Sequence, residues 1–143
     1  MDHNNFFIGN IEKITIDNTA YRNVLFTSLT QQLVAMSLLP KEEIGEEVHP
    51  NTTQFIHIES GRAIAILNGE EHILNDNDAI VIPASVNHNI INASSDKLLK
   101  LYTIYSPPEH KPNTYQQTKI NNKDNENENK SDYLILCKYK IRK

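Results

Sequence analysis

Four residues in this sequence carry donor atoms at spacings that allow them to work together: Glu47, His49 and Gln54, and much later His88. Side chains two apart on an extended strand project to one face, so Glu47 and His49 point the same way. The four residues from Pro50 to Thr53 let the chain reverse and bring Gln54 beside them. His88 follows the run Pro83-Ala84-Ser85-Val86-Asn87. Two imidazoles, a carboxylate and an amide oxygen form a reasonable donor set for a divalent metal. Glu46 has the opposite parity to His49 and reads as surface charge. His57 and Glu59 have the opposite parity to Gln54 and should face away from it. His72 reads as a solvated histidine at a strand start, and His3 and His110 lie in terminal or loop segments.

The elements that must position these donors are strands. Gln54-Phe55-Ile56-His57-Ile58-Glu59 stops at Ser60-Gly61, and Ala63-Ile64-Ala65-Ile66-Leu67 follows at once. Asn68-Gly69 between two apolar runs is the strongest short-range hairpin signal, because a type I′ turn needs positive φ at both central residues. Glu71 to Leu74 returns, Asn75-Asp76-Asn77-Asp78 turns again, and Ala79 to Ile82 is halted by Pro83. His88 to Asn92 and Lys97 to Tyr105 flank the turn Ala93-Ser94-Ser95-Asp96. Val24 to Phe26 and Leu33 to Leu39 are earlier candidates. Helical periodicity is nowhere sustained over three turns. Short, closely spaced strands with Gly, Pro and Asn turns predict an all-β sandwich or barrel.

With both clusters placed, the sequence resembles the cupins, small β-barrels of the jelly-roll (double-stranded β-helix) type. Their first motif, G-x5-H-x-H-x3,4-E-x6-G, is matched in spacing by Lys41, Glu47, His49, Gln54 and Gly61. Their second, G-x5-P-x-G-x2-H-x3-N, is matched by Asn77, Pro83, Ser85, His88 and Asn92. Identities change within this frame. Lys41, Asn77 and Ser85 stand where the family has Gly, Glu47 where it has His, and Gln54 where it has Glu. The resemblance implies metal ligation at Glu47, His49, Gln54 and His88, with Fe, Mn, Ni or Zn as the divalent ion. The exchange of Glu47 and Gln54 keeps one carboxylate in the set, while the Gln54 amide is suited equally to a weak ligand or to hydrogen-bonding a substrate. Ile44 to Pro50 with Gln54 to Ile56 is also similar to a subgroup labelled mannose-6-phosphate-isomerase-like, a label that speaks of fold rather than reaction. The family's habit implies a small-molecule ligand in the barrel and a homodimer.

Composition narrows the remaining classes. The 143 residues, 38% hydrophobic and 22% charged, suit one domain. A formal charge of −4 lacks the basic footprint that nucleic acid demands. No apolar run approaches membrane-spanning length, and the start has no signal-peptide pattern. Cys137, the single cysteine, fits a reducing, cytoplasmic setting and has no partner for thiol chemistry. We expect a cupin barrel over residues 1–112 and a disordered Asn-rich linker over 113–132. Residues 133–143 form a short apolar and basic tail, compatible with a strand, a helix or an interaction segment. Residues 106–112, rich in proline, read as a rigid surface exit, with a cover over the barrel mouth as the alternative. Function stays open among a metal-dependent isomerase or dioxygenase, a non-catalytic sensing or binding module, and an interaction protein using the basic end.

Overall fold

The computed structural model describes residues 6–119. Helix α1 (Ile11–Asp17) precedes nine strands: β1 (Arg22–Thr27), β2 (Gln32–Leu38), β3 (Thr53–Ser60), β4 (Ala63–Leu67), β5 (Glu70–Leu74), β6 (Ala79–Ile82), β7 (His88–Asn92), β8 (Leu99–Ser106) and β9 (Tyr115–Gln116). They form two antiparallel sheets, β6-β3-β8-β2-β1-β9 and β5-β4-β7. This is the expected all-β jelly roll.

Alternation builds the interior. Strands β2, β3 and β8 each turn every second residue inward, and their register stacks these side chains in rows. Met36, Leu101 and Ile58 make one row, and Val34, Thr103 and Ile56 the next. The row after that is polar: Gln32, Tyr105 and Gln54, with Ile82 beyond. Leu38, Leu99, Ala63, Ala65 and Ile90 complete the apolar part. The barrel is thus filled with hydrocarbon at one end and lined with polar groups at the other.

The turns carry the backbone strain. Asn68 and Gly69 have φ of 48° and 83°, the type I′ pattern expected. Lys41, Asn77 and Ser85 have φ of 62°, 69° and 72°, left-handed values at the three motif glycine positions that carry another residue here. At the apolar end Asn92 is fully buried, donating to the carbonyls of Leu38, Leu39 and Lys97 and accepting from Ser94 N–H. It ties the end of β7 to the end of β2 and to the segment before β8.

Two expectations change, and one short helix joins the strands. Helix α1 is only seven residues, too short for its period to show in sequence, and it lies on the outer face of the larger sheet. Asn10 caps it by accepting from Lys13 N–H at 3.1 Å. The domain also continues past residue 112, because Tyr115 and Gln116 pair with Asn23 and Arg22 of β1. Polar residues suffice there, since an edge strand needs backbone partners more than apolar side chains. The rest of the expected linker, residues 120–132, and the 133–143 tail lie outside the described residues. Finally, the 106–112 segment turns in over the polar end of the barrel, burying Pro108 and His110, and does not leave the surface.

Candidate metal centre

The Glu47 and His88 backbones form an isolated antiparallel bridge, Glu47 N–H to His88 O at 2.8 Å and His88 N–H to Glu47 O at 3.0 Å. Residues directly opposite in such a pair share a face, so both side chains enter the barrel. His49 follows on the same face, its carbonyl held by Ser85 N–H at 2.8 Å. One donor atom from each of Glu47, His49 and His88 lies within 4.8 Å of the others. The rings of His49 and His88 are 5.1 Å apart, and both are buried. Gln54 is buried in the polar row of β3, next to Tyr105 of β8. His57 projects from the other face of β3 and stacks on Tyr102.

Hydrogen bonding decides which atoms are available. His88 Nδ1 is 2.9 Å from Val86 O, so Nδ1 donates there and Nε2 is the ring nitrogen left for another partner. Thr103 Oγ1 donates to Phe55 O at 2.8 Å, leaving it only able to accept from Gln54 Nε2 at 3.0 Å. The Gln54 amide is therefore fixed with Oε1 as its unpaired end. His49 Nε2 is 3.1 Å from Glu47 Oε2 yet poorly aligned for a hydrogen bond. Three buried polar atoms, His49 Nε2, His88 Nε2 and Gln54 Oε1, thus make no aligned hydrogen bond, although His49 Nε2 faces the Glu47 carboxylate at 3.1 Å. The two imidazoles and the Glu47 carboxylate, with donor atoms within 4.8 Å of one another, suit a divalent cation.

Charge in the site is tightly coupled. Burial pushes the His49 imidazole down, but Glu109 and Glu47, one at each ring nitrogen, outweigh it and raise the pKa to about 9. For Glu47, burial pushes up, and His49, Arg22 and His88 together hold the carboxyl below its ordinary value. Burial foremost, then Glu47, raises Tyr105, so its phenol stays neutral.

Glu109, Tyr105 and Gln32 also belong to the site, and none was recognisable from spacing. Glu109 Oε2 lies 3.5 Å from His49 Nδ1. Tyr105 sets its ring edge-on to His49 at 5.8 Å. The signal available was Glu109 itself, a charged residue inside a stiff Pro107-Pro108 segment directly after the last long strand.

Comparison with known proteins agrees with this architecture. The cupin-domain family model (Cupin_2) matches residues 34–105. The chain is 47% identical over 114 residues to uncharacterized protein L612 of Acanthamoeba polyphaga mimivirus, covering 78% of this chain and 71% of that one. It is 42% identical over 119 residues to uncharacterized protein YrkC of Bacillus subtilis, covering 79% of this chain and 63% of YrkC. The chain thus spans less than two thirds of YrkC. The crystal structure of BH2720 from Bacillus halodurans superposes with a TM-score of 0.77 at 37% identity, covering 82% of this chain and 93% of that one. From its barrel, its motif spacing and these relatives, the chain belongs to the cupin family.

Proposed function

We propose that this cupin binds a divalent metal through Glu47, His49 and His88, with the Gln54 carbonyl as a fourth donor, and acts on a small oxygen-bearing molecule at the barrel mouth. The observation that carries this reading is that one donor atom from each of Glu47, His49 and His88 lies within 4.8 Å of the others, while Gln54 Oε1 is buried without a hydrogen-bond partner. A metal there supplies Lewis-acid or redox chemistry to a carbonyl, hydroxyl or carboxylate oxygen. The protein's own part is to hold both imidazoles in one tautomer, keep the Tyr105 phenol neutral, and screen the donors from bulk water beneath the 107–112 loop. The two-imidazole, oxygen-rich set favours Fe(II) or Mn(II) over Zn(II). Isomerisation and oxygenation both suit this donor set.

The test is purification without chelator, elemental analysis, and a panel of sugars, sugar phosphates and small carboxylates assayed with and without dioxygen. Metal bound stoichiometrically and lost in His49→Ala and His88→Ala, with His57→Ala unaffected, supports the reading. Equal loss in all three sinks it. A second reading, a binding module that works without metal, has one observation in its favour: His49 between Glu47 and Glu109 is electrostatically satisfied as an imidazolium. Ligand binding that survives exhaustive chelation would establish that reading instead.

A further inference from the structure

Glu109 faces His49 Nδ1, the ring nitrogen opposite the one that faces Glu47. We propose that Glu109 is a positioning residue: its carboxylate holds the His49 Nδ1–H, directs Nε2 at the metal and strengthens it as a ligand, and the 107–112 loop is the device that delivers it. This rests on the metal reading above and adds to it a residue that touches no metal.

The delivery is specific. Gln32, fully buried on β2, accepts through Oε1 from Glu109 N–H at 3.2 Å and His110 N–H at 2.9 Å. Its Nε2 donates to His110 O at 2.7 Å and Thr27 Oγ1 at 3.0 Å. One amide therefore grips the loop backbone on both sides of the Glu109–His110 peptide. Thr52 Oγ1 donates to Pro107 O at 3.2 Å, tying the loop's start to the segment just after His49. His110 packs edge-on against Tyr105 at 5.2 Å, and Tyr105 in turn against His49. The loop path, the carboxylate and the ring it faces are locked as one unit.

The two imidazoles are consequently unequal. His88 is oriented by a neutral carbonyl, Val86 O, whereas His49 is oriented by a charge. A carboxylate on the outer nitrogen fixes the tautomer and raises the basicity of the inner one. Removing such a partner typically weakens metal binding by about 10–100-fold.

The probe is zinc(II), diamagnetic and measurable by competition with a chromophoric chelator, on the full chain at one fixed pH. Glu109→Gln is expected to weaken zinc binding about 10–100-fold, and Glu109→Asp, which keeps the carboxylate, to recover part of the loss. In zinc-loaded wild type, 15N-histidine spectra should show His49 ligated through Nε2, with a strongly downfield Hδ1 resonance that disappears in Glu109→Gln. Zinc affinity of Glu109→Gln within about twofold of wild type, with His88→Ala abolishing binding, overturns the role of Glu109 and leaves the metal reading standing. No zinc uptake by wild type overturns both. Should the variants fail to fold, the wild-type spectrum alone decides, since Nδ1 ligation or a missing Hδ1 resonance overturns the proposal.

Discussion

At His49 the two flanking carboxylates give stability and metal uptake opposite pH dependence. The metal-free fold holds its imidazolium more tightly than the unfolded chain, whose pKa is near 6.5, with a folded value of about 9. That stabilisation is complete below about pH 6.5 and is lost as pH rises through about 9. Metal must displace the Nε2 proton, so its affinity should climb over the same interval. Thermal unfolding between pH 6 and 9, with chelator and with excess metal, should therefore give a falling midpoint in the first series and a widening gap between the two. Parallel curves would show that His49 does not couple to metal. Gln54→Glu gives a second two-sided result. Without metal it buries another carboxylate near Glu47 and should destabilise by roughly 2–3 kcal/mol. With metal it completes the family's carboxylate and should tighten binding about tenfold or more. Unchanged affinity would mean that the Gln54 carbonyl is not a ligand.

At the scale of elements, turns show what sequence spacing preserves. The left-handed backbone at Lys41, Asn77 and Ser85 is kept although the glycines are gone, because chain path and strand register depend on φ and not on residue type. Ser85→Gly should relieve that strain and stabilise by about 0.5–1 kcal/mol after the loss of unfolded-chain entropy. Gly69→Val should cost about 1 kcal/mol or more, and purely through the backbone, because nothing lies within 4 Å of the added Cβ. Denaturant midpoints at unchanged slope would check both, and a neutral Gly69→Val would mean that the turn has another conformation in solution. The strands and the convergence of Glu47, His49 and His88 were legible because period-two alternation and two fixed-spacing motifs survive substitution. Helix α1 was not, since two turns give no readable period. Glu109 and Gln32 escaped because their pairing joins β2 to a loop far along the chain, and the same sequence could have sent Pro107-Pro108 outward.

For the molecule as a whole, the rows of side chains divide the barrel between stability and chemistry. Met36, Ile58, Leu99 and Leu101 fill the end that Asn92 closes, while Glu47, His49, Gln54 and His88 lie toward the other. The apolar end can therefore carry the folding free energy, and the polar end can tolerate groups that would destabilise a core. Substitutions at Glu47 or His49 should leave the fold intact for the same reason.

The bridge between Glu47 and His88 has a further implication, for time. Its two halves and the Glu109 loop are drawn from three separated stretches of chain, and β2 meets β8 across most of the domain. Such non-local pairing makes a slow folder, on the order of milliseconds to seconds, and the ligand cage can assemble only once the last long strand is docked. A bound ion would then arrive too late to template the fold and would act as a clasp on the finished barrel. Stopped-flow measurements should show metal slowing unfolding while leaving the refolding rate almost unchanged. Faster refolding with metal would mean that the Glu47–His88 closure forms early, ahead of the sheets on which it is built.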